Sequence, residues 1–273
     1  MRHRTSAFTF IAAVIAASAC IPAGCGKSQT PANNPPQAAS APAISPGTPP
    51  GPVNVLTYHD DDARTGGNAN ETILKPGNVN PREFGKVGFL PVQGLVDAEP
   101  LYVSQLQIRG AKHNVIFVVT EHDRAYAFDA DTFAKLWEVS LLGPDERPSD
   151  NRGCGQVTPE IGATATPVID LHGGSHGTMY VVSMSKDSSG KYFQRLHALD
   201  LTTGKELNGS PETIEATFPG TALPNSNGQV DFEPKQYKER TGLLLLNGVV
   251  YTSWASHCDY DPYTGWVIGF DGG

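Results

Sequence analysis

Charge is scarce in this chain, and positive charge scarcer still. Asp, Glu, Lys and Arg make up 18% of its 273 residues, with 20 Lys and Arg against 28 Asp and Glu. A net charge of -8 and a pI of about 5.4 argue against a nucleic-acid surface, which would need a basic face to follow a phosphate backbone. Helical patterning is also missing. No long stretch repeats apolar residues at a 3.6-residue period, and the polar residues 233–240 offer at most one loose helical turn. The longest uncharged apolar run, residues 8–19, falls short of the roughly 20 residues that cross a bilayer. Four cysteines are present, with neither a CxxC pair nor two adjacent cysteines. Nucleophile elbow, phosphate loop and HExxH are likewise absent, so the sequence supports none of the chemistries those motifs carry.

Turn formers are abundant instead, with 29 Gly and 22 Pro. They punctuate short β-branched and aromatic runs that read as strands: residues 114–120, 124–129 and 136–142, then 166–170, 177–183 and 192–200, then 242–247, 249–254 and 265–271. A further strand is expected at residues 99–103. Three of these runs end alike, in Ala127-Phe128-Asp129, Ala198-Leu199-Asp200 and Gly269-Phe270-Asp271, and the aspartates recur at intervals of 71 residues. A β unit repeated at fixed spacing is the signature of a propeller or solenoid. Each unit amounts to about four antiparallel strands, one propeller blade. The long interval is absorbed by loops at residues 143–163 and 206–240, lengths that mark binding loops or lids. The expected fold is all-β, with about three blades at residues 98–273. Because the third copy breaks off inside its turn, the expectation is an incomplete fragment of a 6–8-bladed ring. A genuine terminus with a frayed end is the alternative.

The N-terminus reads as an export leader over residues 1–25. Arg2, His3 and Arg4 form a basic start, and small residues follow the apolar run. Ala17-Ser18-Ala19-Cys20 resembles a bacterial lipobox, and Ala23-Gly24-Cys25 is a second candidate, so Cys20 or Cys25 is the expected lipidation site. An ordinary cleaved signal is the alternative. Residues 26–53 are rich in Pro, Ala, Ser, Asn and Gln and nearly uncharged, a disordered, extended tether. Residues 54–97 form a polar N-terminal segment with Tyr58, His59 and three consecutive aspartates, expected to be solvated or cation-bound. Membrane association is expected only through a lipid anchor, in the periplasm or at the outer membrane, or else the protein is secreted.

Two cysteines remain in the folded part. In an exported domain, Cys154 and Cys258 are expected to pair, in a bridge between successive blades. Two free buried thiols, or metal ligation together with His257, are the alternatives. Zinc is weakly supported because the spacing is wrong, and no metal is assigned.

The repeat resembles a known family. Ala127, Asp129, Thr132 and Trp137 match the AxDxxTGxxxW docking motif of pyrroloquinoline-quinone-type (PQQ) propeller repeats, with Phe133 in place of its glycine. Ala198, Asp200, Thr203 and Gly204 match in the second copy, where Asn208 stands at the tryptophan position. Gly269 and Asp271 begin the third. Three further phrases, at residues 120–123, 159–162 and 254–258, look like those of uncharacterised secreted bacterial members. The aspartate suits an Asx-type turn, and the small residue before it lets the next blade approach. The resemblance implies that the tryptophan stacks between blades, so these residues are structural.

Two function classes follow from the resemblance: cofactor-free binding scaffolds, including outer-membrane assembly lipoproteins, and quinoprotein dehydrogenases with PQQ and Ca²⁺. Fold alone does not choose between them. Calcium would call on Glu160, Asn151 and Asp259, and quinone polarisation on Lys186 or Arg195. Ligand candidates are Glu121, His122 and Asp123 after a strand, Glu160 in a glycine-rich loop, and His257 with Asp259 among mixed O and N donors. Each also reads as a simple polar turn or loop, as does His176. The expectation is a binding or scaffold module for a protein or glycan at the cell envelope, with a PQQ/Ca-dependent dehydrogenase and a polysaccharide-binding or -cleaving propeller as alternatives.

Overall fold

The computed structural model describes residues 53–223 and 225–272, all within one compact unit, Pro49–Gly273. The leader with Cys20 and Cys25, and the tether up to residue 52, lie outside the described residues.

Strands dominate. β1 (Leu101–Ile108), β2 (Ala111–Thr120), β3 (Arg124–Asp129) and β4 (Lys135–Ser140) pair in chain order as an antiparallel meander. This is a propeller blade built by local hairpins. The second sheet adds β5 (Glu146–Asp150), β6 (Glu160–Ile161), β7 (Val168–Asp170), β8 (Thr178–Asp187), β9 (Tyr192–Asp200) and β10 (Glu212–Thr213). Its blade is β7, β8, β9 and β10 in order, with β5 pairing the far end of β8 on the same edge as β7. After a small ribbon of β11 (Thr217–Pro219) and β12 (Gln229–Asp231), the third sheet holds β13 (Tyr237–Glu239), β14 (Leu244–Leu246), β15 (Val249–Ser256) and β16 (Trp266–Asp271). There β13 and β14 share one edge of β15, and β16 takes the other.

Sequence and structure differ at the long loops. Residues 143–163 contain β5 and β6, and residues 206–240 contain β10 to β13. The 237–239 stretch, read as a loose helical turn, is a buried strand: it pairs with β15 through Tyr237, Lys238 and Glu239. Short strands of three residues carry too little periodicity to be read locally.

The repeat turns are built as the aspartate chemistry requires. Asp129 Oδ1 accepts the backbone N–H of Asp131 and Thr132 (3.1 and 2.7 Å) and the Thr132 hydroxyl (2.8 Å). Asp200 Oδ1 accepts from the Thr202 N–H and from the Thr202 and Thr203 hydroxyls, at 3.0, 2.6 and 3.0 Å. In each turn the second oxygen meets a histidine: His113 Nδ1 lies 2.6 Å from Asp129 Oδ2, and His176 Nδ1 2.7 Å from Asp200 Oδ2. The His113 bond, followed by those from Thr132, holds the Asp129 carboxyl down at about 2. His176 is therefore part of the second repeat turn.

Blade docking follows from Trp137. Its ring lies against Gly204, where a Cβ would come within 2.7 Å of Cε3, and Nε1 donates to the Leu201 carbonyl at 2.9 Å. Gly204 also sits at φ +69, so glycine is required twice over. Phe133 adopts φ +62 at the matching position of the first turn, and its ring packs against Gly88 of the N-terminal segment. One apolar cluster joins the first two sheets through Phe117, Ala127, Trp137, Val181 and Leu199. A second joins the latter two through Tyr180, Leu196, Val250, Trp254 and Trp266.

The N-terminal segment has no strand between residues 56 and 97, yet it reaches the first two sheets and the lead-in to β14 of the third. Val55 bridges to Tyr102, Leu56 O accepts from Ile169 N at 2.8 Å, and Arg64 donates to the Leu243 carbonyl at 3.0 Å. Of its three aspartates, Asp61 accepts from Thr65, whose hydroxyl and N–H bonds hold that carboxyl below its usual range.

Candidate functional site

Glu121, His122 and Asp123 form the tight turn between β2 and β3. A polar turn of this kind belongs in solvent, but Glu121 is 1% and Asp123 0% exposed. Two distant segments bury it. Leu95 O accepts the Glu121 N–H at 2.9 Å, and Ala163 N donates to Thr120 O at 3.2 Å. Gly162 passes so close that a Cβ there would lie 2.4 Å from the Glu121 carbonyl oxygen. Only glycine allows that crossing.

The crossing also supplies donors. Glu121 Oε2 accepts the Gly162 N–H (2.7 Å) and the Thr164 hydroxyl (3.0 Å), while Oε1 has no hydrogen-bond partner among the described residues. Asp123 has no close partner either, and the Met184 backbone N–H is a donor that favours its charge. His122 Nδ1 and Glu160 Oε1 are 2.8 Å apart. The structure thus brings Glu160 together with the 121–123 turn.

It adds two residues that the sequence does not single out. Lys238 and Glu239 on β13 are each 5% exposed, and Lys238 Nζ and Glu239 Oε2 lack partners among the described residues. With Gly162, Thr164 and Gln194 they line a void of about 10 Å³, room for one water molecule. No local signal marks Lys238 and Glu239; their burial comes from pairing with β15.

Burial sets the electrostatics. It raises the Glu121 carboxyl to about 7, against the bonds from Gly162 and Thr164 and the attraction of Lys238. It pushes Asp123 far upward, with Glu121, Glu160 and Glu146 adding repulsion, and raises Glu239 likewise. Burial lowers the Lys238 ammonium to about 8, although Glu121 favours its charge. The cluster can take up or release protons near neutral pH.

A carboxyl raised on folding favours the folded state when protonated, so the contribution of Glu121 is full below about pH 4.5 and is lost as pH climbs through 7. Glu121→Gln keeps an acceptor for Gly162 and Thr164 and removes the titration. Urea unfolding at about pH 5 and about pH 8 should show the native chain losing about 2–3 kcal/mol more than the variant across that interval. Equal pH slopes would mean that Glu121 stays ionised throughout.

His257 and Asp259 are not part of this cluster's bonding. His257 is buried, its Nε2 3.0 Å from the Asn151 carbonyl oxygen, and burial lowers its pKa. Asp259 is exposed. Cys154 and Cys258 form a disulfide with Cα atoms 6.4 Å apart. Their sulfurs and a His257 ring nitrogen lie within 4.8 Å of one another, but disulfide sulfurs have no thiolate to offer a metal.

The donors named for a quinoprotein are mostly engaged within the protein. Glu160 is engaged by His122. The Asn151 side chain is bonded to Thr158 and Gly153, and Asp259 joins neither. Lys186 is tied to Asp150, and Arg195 makes a two-pronged pair with Glu146. The 10 Å³ void beside the cluster is far too small for a tricyclic quinone.

A second arrangement resembles a hydrolase triad. Ser183 Oγ lies 2.8 Å from His197 Nε2, and His197 Nδ1 lies 2.6 Å from Glu206 Oε1. Both Ser183 and His197 are 1% exposed, on the sheet face that packs against the first blade. A nucleophile needs an open carbonyl position beside it, and this serine has none. The trio is a buried polar tie.

No family model and no curated protein matches the chain. Among solved structures, it is similar to the crystal structure of BamB from Moraxella catarrhalis, at 17% identity and a TM-score of 0.24. The match covers 66% of this chain and 60% of that one, so the chain spans less than two thirds of that structure's length. At that score the likeness adds nothing to the fold drawn from the sheets themselves.

Proposed function

We propose that this protein is an exported, lipid-anchored propeller module that binds a protein partner at the cell envelope. Its leader and a Cys20 or Cys25 anchor would hold it at a membrane, and the Pro-rich tether would space the blades away from it. The observation that carries the reading lies in the N-terminal segment. Ile73, Val87 and Phe89 are 76%, 87% and 73% exposed, and Leu74, Val79, Phe84, Leu95 and Val96 are exposed beside them in sequence. Large apolar side chains left exposed along one strandless segment support a contact surface there. They favour an apolar protein face over a glycan. Glu121, Asp123 and Glu239, by contrast, are buried away from any incoming substrate, which suits a scaffold better than a catalyst.

A photo-crosslinking side chain at Val87 or Phe89, in the full-length protein in its native envelope, should capture one discrete protein. The same probe at Arg109, in the β1–β2 turn, should not. Absence of adducts at both apolar positions, together with dye reduction by purified protein on adding PQQ and Ca²⁺, would replace the scaffold with the dehydrogenase.

A further inference from the structure

In this acidic chain, positive charge gathers at one place. Tyr192 and Phe193 open β9, just after the turn from β8, and five Lys and Arg side chains lie over their rings. Arg152, Lys186 and Lys235 stand 5.5, 5.5 and 5.6 Å from the Tyr192 ring centroid. Lys191 and Arg195 stand 4.9 and 4.5 Å from that of Phe193. The five come from distant parts of the chain: the end of β5, β8, the β8–β9 turn, β9 and the lead-in to β13. None of them sits on a strand of the third sheet.

Two of the five are neutralised. Lys186 is bonded to Asp150, which also accepts the Tyr192 hydroxyl at 2.7 Å. Against the cost of burial, these bonds hold the Asp150 carboxyl down at about 2, so it stays ionised and Lys186 stays committed. Arg195 pairs with both oxygens of Glu146. The other three, Arg152, Lys191 and Lys235, have no ion pair among the described residues, and Arg152 Nη1 is buried without a hydrogen-bond partner. Two further carboxylates nearby are taken up by backbone: Asp187 accepts the Lys191 N–H and Glu233 the Lys235 N–H, each at 3.0 Å. A ring face attracts a cation, but it does not cancel the repulsion between cations that share it. A guanidinium that is partly buried and unpaired is costly, and a bound anion would offset that cost.

We infer that the Tyr192 surface is a binding site for a phosphate group, held between the Arg152 guanidinium and the Lys235 ammonium. The planar fork of arginine matches two oxygens of a tetrahedral oxyanion, and lysine adds a point charge. Two unpaired cations suit a dianion better than the single charge of a carboxylate. The phosphate can belong to a soluble ester or to a lipid headgroup. Both present the same chemistry, and the test separates them.

The test uses the full-length protein at low ionic strength, where such contacts are least screened. Inorganic phosphate is titrated by calorimetry, with acetate as the monovalent comparison. Vesicles of phosphatidic acid are compared with phosphatidylcholine vesicles, because an acyl anchor would hold the protein to both. Phosphate should bind saturably and more tightly than acetate. Arg152→Gln combined with Lys235→Gln should weaken it by at least about tenfold. Lys235→Gln alone, at an exposed position, should weaken it by about threefold, which keeps the result readable should the double variant misfold. Lys112→Gln, on exposed β2, removes the same charge elsewhere and should leave binding unchanged. Excess retention on phosphatidic acid, lost in the double variant, would assign the phosphate to a lipid headgroup. Binding of free phosphate without that excess would assign it to a soluble ester. No binding to either probe would overturn the site. So would a folded double variant that binds as the native chain does, or an equal loss in Lys112→Gln.

Discussion

Replacing Trp137 with alanine should destabilise the protein by about 3–5 kcal/mol, the cost of deleting a large buried aromatic side chain. Trp137 is 7% exposed, and it touches the second blade rather than only its own sheet. Three contributions vanish together: the apolar area against Gly204, the ring contact with Phe117, and the hydrogen bond to Leu201 O. Losing the indole also leaves that buried carbonyl without its donor. Trp137→Phe separates the terms. It keeps most of the buried area and loses the N–H, so it should cost about 1–2 kcal/mol. Denaturant unfolding of both variants provides the check. A loss under about 1 kcal/mol for Trp137→Ala would mean that the blades are held elsewhere and that the repeat tryptophan is not a docking residue.

Removal of the disulfide should be comparably damaging. Cys154 follows β5, which pairs with the second blade, and Cys258 follows β15 of the third, so the bridge staples neighbouring sheets. It closes a loop with a sequence separation of 104 residues. A closure of that length restricts the unfolded chain strongly, and its loss is expected to cost about 4 kcal/mol. The His257 to Asn151 hydrogen bond beside it is a single polar contact and replaces little of that. Cys154→Ser with Cys258→Ser, or the native chain under reductant, should melt well below the oxidised protein. Indistinguishable melting curves would show that the sheets are already fixed by the Trp254 and Trp266 cluster.

The sequence by itself determined what depends on near neighbours. Period-two runs bounded by glycine and aspartate specify hairpins, and hairpins in series make an antiparallel blade. The Asp129 and Asp200 turns are closed by residues two and three positions onward, so they were legible in the sequence. Glu121, His122, Asp123 and Glu160 were also legible as residues of interest, but not their environment. Tertiary structure decided that environment, because burial is imposed from far along the chain. Gly162 and Leu95 seal a turn that its own residues mark as solvent-facing. Pairing with β15 buries Lys238 and Glu239, which sit in a stretch too short and polar to declare itself a strand. His113 and His176 reach their aspartates from other strands and loops, at spacings that differ between the two repeats. The contact between Trp137 and Gly204 likewise exists only once the blades lie side by side, because packing joins positions that sequence keeps apart.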